Sequence, residues 1–245
     1  MPLKQIVEGL SFVVLGIPLY FFIEFEYDEK FLIIFNELMA PLYNEIAFYL
    51  YPPKLRKKLL KDAIIKKGDV VLDIACHTGI LIDDIAKVAS RVIATDLSYA
   101  DIDITRAKLS GYDKVLYVRC DPEYLPFKDS AFDRIVGFDV SDEAVNSEKL
   151  FSEINRVLAK NGRATIILFE PSFSIFTAPL QWRVEFIEDY LEKLGLSFRV
   201  KRIDTVLATG YMFKIRKEEK QRVERISDFG IFHSFYYYHI VRKLY

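Results

Sequence analysis

Residues Val70, Val71, Leu72, Asp73, Ile74, Ala75, Cys76, His77, Thr78 and Gly79 constrain this chain more than any other stretch. A run of apolar β-formers leads into an acid, and a short turn of mostly small residues closes on Gly79. Ile80, Leu81, Ile85 and Ala86 then follow at helical spacing. The pattern is strand, tight turn, helix, the arrangement that lets backbone approach a nucleotide-like ligand. A second strand, Arg91 to Thr95, ends in Asp96. An acid at that point is placed to accept hydrogen bonds from ribose hydroxyls.

The rest of the chain continues the alternation. Helices are expected over 54–65, 80–88, 100–109, 147–159 and 181–194, the fourth stopped by Asn161 and Gly162. Strands are expected over 70–74, 91–95, 115–119, 134–138, 163–169, 198–205 and 207–216. Strands alternating with helices imply an α/β fold, a mostly parallel sheet covered on both faces. The last two strands are too close in sequence for a crossover and are expected to form an antiparallel hairpin. Three parts follow: an N-terminal helical lid or extension over 1–66, a Rossmann-like domain over 67–217, and an aromatic extension over 218–245.

Composition narrows the function classes. The chain has 245 residues, 51% hydrophobic and 28% charged, enough to build a sizeable core. The net charge of −1 gives no basic field for nucleic acid. The basic side of 54–65 reads as a solvated helix face. The two cysteines, Cys76 and Cys120, have no metal-ligand spacing, and no metal site is expected. They are too few for a disulfide framework, so a reducing, cytoplasmic setting is expected. Abundant Lys, Ile and Glu beside scarce Met and Cys lean toward a thermophilic source. Residues 10–23 are largely apolar, yet shorter than the roughly 18 residues of a membrane span. They fit a buried or lid helix, a peripheral membrane or oligomer contact, or an anchor. The tail from Phe229 to Tyr238 is too aromatic to sit free in water, so it packs on the domain, in a homodimer or at a membrane surface.

Four segments together resemble the class I S-adenosylmethionine-dependent methyltransferases, in the branch of ubiquinone- and menaquinone-biosynthesis enzymes. They are Val71 to Gly79; Ile93, Ala94, Thr95, Asp96, Leu97 and Ser98; Cys120 to Asp133; and Glu153 to Gly162. The resemblance implies a Rossmann-like sheet of seven strands, the seventh antiparallel between the fifth and sixth. It implies S-adenosylmethionine lying across the carboxyl ends of strands one to four. Asp73 and the turn residues Ala75, Cys76, His77 and Gly79 would meet its methionine part, and Asp96 the ribose. Asp121 would accept from the adenine amino group, and Pro122 sits where relatives bind the ring through a backbone N–H. Leu97 and Tyr124 would flank the adenine. Asp139 would border the methyl acceptor, and Tyr43 resembles a lid residue. Asp139, His77 and Tyr43 are thus the catalytic candidates, with Glu170 a further carboxylate near the same edge.

Two residues depart from the family pattern. Ala75 and His77 stand where relatives keep the first two glycines of the turn. An imidazole at the second position needs room, turns away, or takes space from the ligand. Pro122 has no N–H to give to the adenine. Methyl transfer needs alignment and exclusion of water rather than a dedicated nucleophile. The expected function is methyl transfer to a small, lipophilic or aromatic acceptor, with Phe173, Phe176 and Trp182 as candidate acceptor wall. The alternatives are a catalytically degenerate binding or assembly protein of the same fold, and a protein or RNA methyltransferase.

Overall fold

The computed structural model describes residues 53–140, 144, 146–171, 184–204 and 208–218, with backbone alone at 170, 171, 208 and 209. Tyr43, Phe173, Phe176, Trp182, the 10–23 segment and the aromatic tail lie outside the described residues, as does the Glu170 side chain.

Helix α1 (Pro53–Ala63) precedes β1 (Val70–Ile74), α2 (Ile82–Val88), β2 (Arg91–Asp96), α3 (Tyr99–Lys108) and β3 (Val115–Arg119). Then come β4 (Phe132–Phe138), α4 (Ser147–Val157), β5 (Leu158–Pro171), α5 (Val184–Lys193), β6 (Ser197–Asp204) and β7 (Ala208–Arg216). The seven strands form one sheet in the order β3-β2-β1-β4-β5-β7-β6. The first five run parallel, and β7 lies antiparallel between β5 and β6. This is the Rossmann-like architecture, with the inserted last strand, that the resemblance implied.

Side-chain alternation splits the core in two. Leu72 and Ile74 of β1 join Leu150, Phe151 and Ile154 of α4 and Ile187 and Leu191 of α5 on one face. Val71 joins Leu55 and Leu59 of α1, Ile82 and Ile85 of α2 and Ile102 of α3 on the other. On α4 the buried Leu150, Phe151, Ile154 and Val157 recur at helical spacing and form one stripe. Each such side chain contributes about 1.5–3 kcal/mol of gross burial energy, which fixes the helix more firmly than its intrinsic propensity does.

The boundaries moved where local hydrogen bonds outvoted the pattern. α2 starts at Ile82, because the turn continues through Leu81. α3 starts at Tyr99, because the Ser98 hydroxyl accepts from the Asp101 N–H and caps the helix there. α4 ends at Val157, not at Ala159, and Asn161 and Gly162 do not stop it. Leu158 already pairs with Phe132, so the chain passes directly into β5. Asn161 takes a left-handed φ of 61° within β5, and Asn161 and Gly162 exchange backbone hydrogen bonds with Lys217.

Candidate functional site

The chain runs β1, β2, β3 outward along the sheet and then returns to β4 on the other side of β1. Ligands of open α/β sheets sit outside the carboxyl ends of the strands at such a reversal. The turn after β1 therefore stands at the centre of the candidate site. Ala75, His77 and Gly79 have φ of 53°, 47° and 77°. All three glycine positions of the resembled motif thus keep the left-handed backbone, although alanine and histidine fill two of them. That conformation costs a non-glycine residue about 1–2 kcal/mol. The surroundings hold it in place. The Cys76 N–H donates to Thr95 O, and the His77 N–H donates to Asp96 Oδ2 at 2.7 Å. The Thr105 hydroxyl donates to His77 O at 2.7 Å, and Lys108 Nζ donates to Thr78 O at 2.8 Å. Burial, aided by the charge of Arg56, pulls the Lys108 ammonium below the ordinary lysine value.

The His77 side chain is buried and points across the sheet edge. Its Nε2 lies 2.9 Å from the carbonyl oxygen of Phe138, the last residue of β4. A carbonyl only accepts, so Nε2 carries the proton. The ring neither faces outward nor leaves the crevice bare. It bridges the turn after β1 to the end of β4.

Asp73 presents a different chemistry. It alternates with Leu72 and Ile74, so it shares the α1–α3 face with Val71, and its cross-strand neighbours are Ala94 and Val136. It is 1% exposed, and neither carboxylate oxygen has a hydrogen-bond partner. Burial, and then the nearby Asp96 charge, push its carboxyl well above the usual carboxylate range. A buried polar group left unpartnered is costly, and such groups mark places where a ligand or ion completes the site. The Thr78 hydroxyl is likewise buried and unpartnered.

Asp96 ends β2 with both oxygens engaged, Oδ2 by the His77 N–H and Oδ1 by the Ser98 N–H. Each oxygen keeps a second lone pair for a hydroxyl donor. Leu97 is buried beside it. Beyond β3, Asp121 begins a tight turn: its Oδ1 accepts from the Glu123 N–H, and its carbonyl accepts from the Tyr124 N–H. Pro122 is buried in this turn and offers no donor. The two amides that follow it already serve Asp121, so neither replaces the missing one. Tyr124 is exposed, with its hydroxyl 2.7 Å from Lys149 Nζ. Arg156 braces the same loop by donating to the carbonyls of Leu125 and Phe127, and Glu153 accepts from the Leu125 N–H.

Asp139 follows β4 with a left-handed φ of 65°, is 4% exposed, and donates its N–H to Ile167 O. It lies next to the Phe138 carbonyl that His77 engages. The structure thus gathers Asp73, Ala75, Cys76, His77, Gly79, Asp96, Leu97, Asp121, Pro122, Tyr124 and Asp139 along the carboxyl edge of β1 to β4. Sequence reasoning missed the Phe138 carbonyl, Thr105 and Lys108. A backbone carbonyl has no sequence signal, and Thr105 and Lys108 read as ordinary helix residues. Burial pushes the Cys120 thiol up to about 12, so it is no nucleophile at neutral pH. A polar cleft lined by Ser90, Arg91, Asp113, Lys114 and Leu116 opens where β2 and β3 begin, at the opposite end of the strands from this site. Among the described residues no cluster of His, Cys, Asp and Glu could hold a metal ion, and no helix is long and apolar enough to cross a membrane.

Comparison with known proteins agrees with this fold. Residues 72–166 match the family model described as a methyltransferase domain. The chain is 34% identical over 103 residues to a demethylmenaquinone methyltransferase of Clavibacter sepedonicus, covering 42% of each chain. It is 28% identical over 147 residues to one of Staphylococcus aureus, covering 57% of this chain and 59% of that protein. The matched segments thus span about half the length of these curated relatives. A SAM-dependent methyltransferase structure from Aquifex aeolicus superposes with a TM-score of 0.57 at 18% identity, over 78% of this chain and 99% of that one. The likeness first read from four segments therefore holds in sequence and in fold: the chain resembles class I methyltransferases of the ubiquinone- and menaquinone-like branch.

Proposed function

We propose that this chain transfers a methyl group from S-adenosylmethionine to a small, lipophilic, quinone-like acceptor. The observation that carries the reading is the row of three acids along the carboxyl ends of β1 to β3, beside the reversal of strand order. Asp73 lies on β1 with no partner, Asp96 ends β2, and Asp121 follows β3. An unpartnered buried carboxylate suits an ammonium group, and an acid at the end of β2 suits ribose hydroxyls, so the residues present fit this cofactor. The curated relatives that share residues of this region are named for methylation of demethylmenaquinone, which supports a quinone-like acceptor.

In this reading Asp96 accepts from the ribose hydroxyls and Asp121 from the adenine amino group, with Leu97 and Tyr124 on the ring faces. Asp73 accepts from the amino end. When bound, S-adenosylmethionine supplies a methyl group already activated as a sulfonium. What remains for the protein is alignment and exclusion of water. The buried turn and the end of β4 provide an edge with little access to solvent. Asp139 borders the acceptor and takes a proton if the acceptor must lose one to react.

Calorimetry with S-adenosylmethionine and its demethylated product tests the reading. Binding at about micromolar, typical of enzyme substrates, lost in Asp96→Ala, supports it, as does transfer of labelled methyl to a demethylated naphthoquinol. No binding up to about millimolar favours a second reading, a binding or assembly protein that keeps the fold without catalysis. His77 in the crevice and the missing donor at Pro122 are the observations on that side.

A further inference from the structure

We infer that His77 guards the amino-acid end of the cofactor groove, so that a ligand's homocysteinyl tail enters only by displacing the imidazole from the Phe138 carbonyl. The inference rests on the cofactor reading above and concerns how this chain, with histidine where its relatives keep glycine, admits that ligand. The adenosyl side is assigned to Asp96 and Asp121, at the ends of β2 and β3. A ligand extending from there across the reversal of strand order reaches the gap between β1 and β4. The His77 ring bridges that gap, with Nε2 2.9 Å from Phe138 O and the residue 5% exposed.

The backbone of His77 cannot move aside easily. Its N–H is held by Asp96, its carbonyl by Thr105, and its φ of 47° is matched to the turn. Only rotation of the side chain clears the gap. That rotation leaves the Phe138 carbonyl without the ring's N–H. An ammonium group is a donor that can replace it, so an amino-acid tail brings its own substitute for the bond it breaks. A nucleoside thioether without the tail brings none and leaves the ring in place. The groove therefore discriminates little between the two ligands in the native chain. Removal of the ring favours only the ligand with the tail.

Calorimetry of wild type, His77→Gly and His77→Ala, with S-adenosylhomocysteine and with 5′-methylthioadenosine, tests this. The alanine variant keeps a Cβ on the same backbone, and heat-denaturation curves confirm that each variant folds. In both variants the homocysteine compound gains about tenfold, the tax removed if the ring stands aside in about a tenth of wild-type molecules. The thioether changes little. Nitrogen-15 spectra of wild type give a second readout: the His77 ring signal shifts with the homocysteine compound and stays put with the thioether. Unchanged or weakened binding of the homocysteine compound by folded variants overturns the inference. So does an equal gain for both ligands. If folded wild type and variants bind neither ligand, the cofactor reading itself falls and the inference goes with it.

Discussion

Asp73→Asn gives a direct measure of what the turn holds in reserve. The native carboxyl is buried between Ala94 and Val136, has no hydrogen-bond partner, and feels the charge of Asp96. Burial, and then the Asp96 charge, push its native pKa up with no hydrogen bond to offset them, while in the unfolded chain it titrates near the ordinary value of about 3.9. Between those two values the native state binds a proton that the unfolded state has lost. Stability from this group is therefore complete below about pH 3.9 and drains away as pH rises, by about 1.4 kcal/mol per unit, until the native carboxyl ionises. Asparagine keeps the shape and does not titrate. Relative to wild type, the variant should gain stability steadily as pH rises through that window, by about 1.4 kcal/mol per pH unit. Its absolute stability at low pH serves only as the baseline, since the amide is also buried. Urea denaturation of both proteins from about pH 4 to about pH 7 reads the difference. Parallel pH profiles would show that Asp73 titrates alike in both states and would refute the reasoning. A ligand ammonium at Asp73 reverses the shift, so binding should release a proton and strengthen with pH. Calorimetry in two buffers of different ionisation heat detects that release.

The remaining expectations are more local. Gly79→Ala places a Cβ 3.0 Å from Thr105 Cγ2 at a φ of 77°, and should lower stability by about 1–2 kcal/mol in thermal or urea unfolding. Glu153 is held below its ordinary value first by Arg156 and also by the Leu125 N–H, against the cost of burial. Its contribution is present above the unfolded value of about 4.3 and fades as pH falls through the lowered native value, so Glu153→Gln should flatten the acid limb of the stability profile. Pro122→Ala restores a backbone N–H at the proposed adenine position, and calorimetry should show an affinity gain of up to about tenfold, one hydrogen bond's worth of about 0.5–1.5 kcal/mol.

Much of the fold was legible in the sequence because period and punctuation agree. β1 and β3 occupy the expected residues, since apolar runs bounded by turn residues leave little choice of limits. α4 was overextended for a physical reason: Leu158 and Ala159 continue the helical pattern, yet Leu158 gains a strand partner in Phe132. The helix at 100–109 was one residue late because the Ser98 cap outweighs the apolar pattern. At the site, the place of Asp96 at the end of β2 was readable because an acid closes the apolar run there. The turn at Asp121 was readable only in part. Proline announces a missing donor, but not that the two following amides already serve Asp121.

The amino-acid order alone determined the alternation of strands and helices, the acids at the strand ends and the substitutions in the glycine turn. Those are properties of neighbours along the chain. Only tertiary structure decided that Asp73 lies between two apolar strands with nothing to bond, and that the His77 ring reaches Phe138, 61 positions away. Such outcomes depend on which strands the folded sheet makes adjacent. Spacing along the chain cannot encode where an imidazole finds a carbonyl that another strand supplies.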